Sequence, residues 1–364
     1  MTPSITSSTT HQYKALTGMR CVLATCVFLY HNRKYWRADV PHWLLQLLNE
    51  LHLGVSLFFV LSGFVIAHRY LPNPPIQGRP YIQYLLMRVI RIFPVYWLIV
   101  LLSFADWGIP NNQPWWLTLS LLHGLSNKHN LDGLAQAWSL TVEYSFYTIA
   151  PIVLHIWCSS AVRAIGLLVL SMVAAIGIGY AWHALNGNPF QFMYPYQFVL
   201  HNTFFGRWYE FAAGMYLASI LHKSPTWLSK CPYPTTIGGI GLLVTIFVIA
   251  QFEPTIFDHG YQHPIGFLCQ MVLVPLFAIV LFLGLITRIS WFQTFLSSQA
   301  MVLLGNASFA FYLIHISYVN IRLRNWHLFP DRNFVLLWLI ATLLYLFFEK
   351  PLHQWLKQRV NQLN

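Results

Sequence analysis

Residues 16–31 read LTGMRCVLATCVFLYH, and the way this stretch treats charge decides the fold class. It is apolar enough to enter a bilayer, yet Arg20 stands near one end and His31 closes the other. Eleven residues make about three helical turns, so both side chains project from one helix face, roughly 16 Å apart along the axis. Charged groups inside a membrane span are expensive and are usually kept because they act, which makes this face a candidate site.

The rest of the chain agrees with that reading. Its 364 residues are 57% hydrophobic and only 9% charged, where a soluble domain carries roughly a quarter charged residues. Apolar runs near 15–31, 52–69, 85–106, 140–157, 163–183, 206–221, 236–252, 265–286, 301–319 and 333–349 approach the roughly 20 residues a helix needs to cross a bilayer. The expected fold is all-α, a polytopic transmembrane helical bundle of about ten spans with no fused soluble domain. The alternating segments of about ten residues that mark a β-barrel are not seen. A shorter run at 115–125 is too brief to span and reads as re-entrant or interfacial. Residues 1–14 read as a cytoplasmic tail without signal-peptide order, 15–350 as the transmembrane domain, and 351–364 as a cytoplasmic C-terminal tail.

The net charge of +11 comes without a basic block or an aromatic-interleaved patch, so nucleic acid is not an expected partner. Membrane sidedness accounts for it. Ten spans place thirteen of the 21 Lys and Arg on the side of the termini, which favours cytoplasmic termini. Nine of the ten acids fall on the other face, with Glu349 the exception. The cytoplasmic face is then strongly cationic and suits an anionic partner. The longer loops, 32–51, 184–205, 253–264 and 319–332, fall on the outer face and are rich in Trp, Tyr, His and Asn. They suit a sugar or another polar acceptor, although the aromatic belt of any multipass protein accounts for most of them equally. The five cysteines, mostly inside apolar runs, show no metal-ligand spacing and read as buried small hydrophobes.

Several constellations could carry chemistry, each with a plainer alternative. His31 is either an interfacial histidine bonded to a loop or a general base, since an unperturbed imidazole pKa of about 6.5 suits proton abstraction at neutral pH. Arg88 and Arg91, in LLMRVIRIFPVYW, lie one turn apart and can fork onto phosphates, or simply anchor the cytoplasmic end of a span. Pro94 would kink that span and open space near its mouth. Glu143, in AQAWSLTVEYSFYTIAP, is either a carboxylate that orients an imidazole or an acid favoured by the helix dipole in a first turn. Ser308, Tyr312 and His315 form one polar stripe, which either bonds a neighbouring helix or lines a lumen. Ser56 and the Ser62-Gly63 pair indicate close helix packing. No Gly-rich phosphate loop, nucleophile elbow, H-E-x-x-H or metal cluster is present, so no metal is expected.

Taken in order, these motifs resemble the membrane-bound acyltransferase-3 family, whose members acylate bacterial cell-surface polysaccharides and related acceptors. The resemblance is carried by Arg20 with ten residues to His31, by HLGVSLFFVLSGF at 52–64, and by Arg88 and Arg91 with Ile92 and Pro94. It continues in Trp138-Ser139-Leu140 with Glu143 and Phe146-Tyr147, then in Gly305, Ser308, Tyr312 and His315, and ends at Glu349-Lys350-Pro351. It implies about ten spans in the bacterial inner membrane. It also implies a cytoplasmic acyl-CoA donor, commonly acetyl-CoA, and transfer to a hydroxyl of an extracytoplasmic glycan or lipid-linked sugar. His31 would be the catalytic histidine, as general base or transient acyl carrier, with Glu143 beside it in the catalytic set. Arg20, Arg88 and Arg91 would bind the donor, and Trp138, Ser308, Tyr312 and His315 would contact the acceptor. The oligomeric state stays open. The alternative from another class is a transporter or flippase for a lipid-linked or polar solute, in which the intramembrane charges gate or relay protons; the internal symmetry common in transporters is not seen.

Overall fold

Long apolar runs without strand-like alternation fold as helices, and Pro, Gly and Ser punctuate them. Ser160 caps one helix by accepting the Arg163 N–H, and Gly187, at a φ of 67°, ends the same helix in the left-handed region that glycine adopts freely. The computed structural model describes residues 14–35, 40–107, 114–225, 232–252, 259–325 and 330–362. Helices α1 Lys14–Asn32, α2 His42–Glu50, α3 Gly54–Tyr70, α4 Gly78–Trp107 and α5 Trp115–Leu119 open the chain. They are followed by α6 Trp138–Ser159, α7 Ala161–Asn186, α8 Tyr196–Asn202, α9 Phe204–Lys223, α10 Pro234–Ala250 and α11 Pro264–Thr287. The chain closes with α12 Trp291–Leu296, α13 Gln299–Ile314, α14 Tyr318–Asn325, α15 Pro330–Leu344, a π-helical turn at Tyr345–Glu349, and α16 Lys350–Asn361. Among the described residues the only β pairing is a single bridge between Ser126 and Phe192.

All ten predicted spans fall on helices. Among the described residues, five segments are long and apolar enough to cross a membrane: His42–Tyr70, Gly78–Asp106, Ala161–Asn186, Pro264–Thr287 and Asn333–Asn361. A sixth is present if α13 and α14 form one broken span. Rows of exposed apolar side chains, such as Leu167, Leu170, Val173 and Ile178 on α7, suit lipid tails and not water.

Three stretches differ from their sequence reading. The longer loops, expected on the outer face, are partly helical, because α2, α8 and α14 lie inside them. The run at 301–319 breaks after Ile314, where side chains take over the backbone: His315 Nδ1 bonds the Tyr312 carbonyl at 2.6 Å, and Ser317 Oγ donates to Ile314 O at 3.0 Å. Helix also continues beyond Glu349 to Asn361, through residues expected as a tail. Residues 1–13 of the expected N-terminal tail, like Cys231, Arg37 and Lys230, lie outside the described residues. Four cysteines are free; Cys21 is buried, but Cys158 is exposed, against the expectation for it.

Residues 1–65 and 213–311 make one compact unit, and 66–212 with 312–364 make the other. In the first, α1 buries Leu16, Met19, Leu23, Val27 and Phe28. It is drawn against α12 and α13 by small residues. A Cβ on Gly18 would lie 2.0 Å from Leu296 O, and one on Gly305 would lie 1.9 Å from Thr17 O, so only glycine lets these backbones meet. In the second, Phe146 on α6 stacks on Phe211 with ring centroids 4.3 Å apart. Tyr96 on α4, fully buried, donates to Thr118 O at 2.6 Å.

Candidate active site

Both Arg20 and His31 lie on α1 and are partly buried. The residue before His31 leads into a cluster of imidazoles, tyrosines and one carboxylate. Tyr30 packs edge-on against His31 at 4.6 Å, and its hydroxyl lies 3.1 Å from His259 Nε2. Arg33 crosses the Tyr30 ring at 4.3 Å and donates to the Tyr30 carbonyl. His52 sits 4.7 Å from His259, ring to ring, and Tyr261 stacks on His259 at 5.0 Å. Glu50, wholly buried, accepts the Gly260 N–H at 2.9 Å, and its other oxygen lies 3.7 Å from His52 Nδ1. The sequence shows no metal-ligand spacing, yet the fold gathers donor atoms of Glu50, His52 and His259 to within 4.8 Å of one another.

In the other unit, Arg88 and Arg91 on α4 line one cavity of about 840 Å³ together with Arg69 at the end of α3 and with His353 and Lys357 on α16. Small-molecule sites are typically about 300–1,000 Å³. The Arg88 guanidinium is packed among three tyrosine rings, at 5.3 Å from Tyr84, 5.6 Å from Tyr147 and 5.9 Å from Tyr70, and it donates to Tyr70 OH at 3.4 Å. Ring faces attract cations and keep the fork in one orientation. Tyr147 also donates to Glu143 Oε1 at 2.5 Å. Glu143 thus joins Arg88 through one tyrosine. Because α6 starts at Trp138, Glu143 lies in its second turn, beyond the reach of the helix dipole that a first-turn acid would feel.

A second polar cluster in this unit is buried. Tyr312 OH and Ser139 Oγ share a hydrogen bond of 2.6 Å, and Tyr312 also donates to Gln136 O at 3.1 Å. Gln136 Nε2 donates to Leu313 O at 2.6 Å. Arg207 forks onto Glu210 at 2.6 and 2.9 Å and lies 5.7 Å over the Trp138 ring. His315 turns Nδ1 onto the Tyr312 carbonyl and is itself buried. Ser308, in the first unit, donates to Gly305 O one turn back along its own helix.

Thus the polar stripe works partly as helix-to-helix bonding, through Tyr312, and partly as bonding within its own helix, through Ser308. Arg88, Arg91 and Glu143 come together, as do Trp138 and Tyr312 through the neighbours Ser139 and Arg207. Several participants have no distinct sequence signal: Glu50, His52 and His259 converge from segments 207 residues apart and more. Others were legible in spacing. Tyr84 stands four residues before Arg88, Arg207 three before Glu210, and His353 four before Lys357 on a helix with a polar face.

The acyltransferase-3 profile, described as an acyltransferase domain, matches residues 13–348. The chain is 25% identical over 332 residues to the acyltransferase MdmB of Streptomyces mycarofaciens, covering 83% of this chain and 77% of that protein. It is 22% identical over 382 residues to a Bacillus subtilis protein with the provisional name peptidoglycan O-acetyltransferase YrhL, covering 94% of this chain. A provisionally named O-acetyltransferase of Staphylococcus aureus strain COL is 20% identical over 381 residues, covering 96% of this chain. The chain spans 55% and 58% of the lengths of these last two relatives. No solved structure matches at a significant level. Against the transporter alternative, the profile match and the names of the relatives point the same way as the motifs. The chain belongs to the acyltransferase-3 family and is a helical membrane acyltransferase.

Proposed function

We propose that the protein moves an acyl group, acetyl above all, from cytoplasmic acyl-CoA to a hydroxyl of an extracytoplasmic glycan or lipid-linked sugar, in a bacterial inner membrane with both termini cytoplasmic. The observation that carries the donor half is the cavity lined by Arg69, Arg88, Arg91 and Lys357. CoA brings several phosphate charges, and planar guanidinium forks suit phosphate oxygens better than a single ammonium does. Tyr70, Tyr84 and Tyr147 hold the Arg88 fork in place before the donor arrives. Arg20 adds a further cation for the donor from the same α1 face as His31.

His31 is the proposed reacting group. As general base it takes the proton of the acceptor hydroxyl while that oxygen attacks the thioester carbonyl. The C–S bond then breaks and the CoA thiolate leaves, with the proton returned to it from the imidazole. As acyl carrier, the imidazole attacks first and passes the acyl group on in a second step. The two routes differ in whether an acyl-histidine forms. Glu143 acts by holding Tyr147 against Arg88, and Trp138, Ser308, Tyr312 and His315 shape and stabilise the acceptor region.

The relatives support the reaction class: their names speak of acyl and O-acetyl transfer. The test is the mass of surface glycan from cells with and without the protein. A difference of one acetyl unit per modified sugar is expected, and its disappearance in His31→Ala cells with normal protein levels. Glycans of identical mass in both strains would overturn the proposal.

A further inference from the structure

We infer that Glu50, His52 and His259 form a binding site for a divalent transition-metal ion, with Zn²⁺ the ion best matched to the donor set. The three residues each offer a ligand atom, all within 4.8 Å of one another. Two imidazoles and one carboxylate are a recurrent zinc set, which closes to about 2.0–2.2 Å from the ion and leaves a fourth position for water. Nitrogen donors favour zinc and its neighbours over magnesium or calcium, which prefer oxygen alone.

The surroundings fit a ligand set. Metal-binding histidines are normally held through their second nitrogen by an outer partner, and ligating carboxylates are themselves hydrogen-bonded. Here His52 Nδ1 lies 3.1 Å from the Asn49 carbonyl, and His259 Nε2 lies 3.1 Å from Tyr30 OH. Glu50 Oε1 accepts the Gly260 N–H at 2.9 Å. Tyr30 and Tyr261 flank the rings and lower the local polarity. A wholly buried carboxylate is costly to ionise, and a divalent cation between it and the two imidazoles offsets that cost. The ion would tie the turn after α2 to the turn before α11, beside Tyr30 and one residue from His31. The site stands independently of the acyl-transfer reading.

The test uses the full chain in detergent, without a polyhistidine tag, stripped with a chelator and titrated with Zn²⁺ alone and then with Co²⁺ as a visible probe. The expected result is one equivalent bound per chain and the intense visible absorption of a low-coordinate Co²⁺ site. His52→Ala and His259→Ala weaken binding by more than 100-fold, and Tyr30→Phe, which removes only an outer partner, by about 10- to 100-fold. If an alanine variant does not fold, His52→Gln or His259→Gln takes its place. Zinc retained as tightly by both histidine variants as by the wild type, or no zinc retained by the wild type after gel filtration, would overturn the inference.

Discussion

At the cavity of α4 and α16, the Arg88 guanidinium is packed among the rings of Tyr70, Tyr84 and Tyr147, while at the end of α1 the Tyr30 hydroxyl meets His259, the Asn49 carbonyl meets His52 Nδ1, and the Gly260 N–H donates to Glu50. A guanidinium presents a planar fork that matches phosphate oxygens, so the first region suits an anion. Imidazoles are common metal ligands, so the second region suits a cation. In the proposed reaction the first region anchors the donor, and His31, next to Tyr30 in the chain, supplies the reactive nitrogen.

Predictions sharpen that contrast. The largest effect is expected from His31→Ala: kcat falls by roughly 10²- to 10⁴-fold, with the KM for acyl-CoA little changed, as read by steady-state kinetics in detergent or vesicles. A rise in KM with kcat intact would place His31 on the binding side and break the division. Next comes Arg88→Ala, for which the KM for acyl-CoA should rise about 10- to 100-fold, the range for removing a charge-assisted hydrogen bond. Arg88→Lys should recover only part of it, because the ammonium loses the fork. Equal loss in kcat and in kcat/KM would show that Arg88 acts in the transition state instead.

Smaller effects should appear in stability without separating the two regions. Gly18→Ala forces a methyl group to 2.0 Å from Leu296 O and should destabilise the chain by about 1–3 kcal/mol, seen as a lower melting temperature in detergent. An unchanged melting temperature would mean that α1 and α12 shift apart freely. The least effect is expected from Tyr312→Phe, which removes the bond shared with Ser139 at 2.6 Å and should lower stability by about 1 kcal/mol. Were turnover to collapse while melting stayed put, Tyr312 would belong to the reaction rather than to the packing.

Much of this was legible in the residues. Long apolar runs locate the helices that carry Arg20, His31, Arg88, Arg91 and Glu143, because hydropathy is a property of contiguous sequence; they do not locate α2, which carries Glu50, or α16, which carries His353 and Lys357. The pairing of Arg88 with Arg91 was legible because both lie on one helix, one turn apart. What was not legible is convergence between distant segments. Glu50 and His52 meet His259 only because the turns after α2 and before α11 fold together. His353 and Lys357 join Arg88 because α16 continues past the apolar run, through a π-helical turn, and brings its polar face to the cavity. The break after Ile314 was hidden for another reason: His315 and Ser317 bond backbone carbonyls locally, and an apolar stretch gives no sign of that choice.

Acyl transfer is measured most directly as transfer of label from acyl-labelled CoA by the purified full chain in vesicles supplied with a hydroxyl-bearing glycan acceptor. Label on the glycan and free CoA are expected in equal amounts, with both lost together in His31→Ala. Unlabelled glycan with intact acyl-CoA in the wild type, or undiminished transfer by the His31→Ala protein, would contradict the proposed reaction.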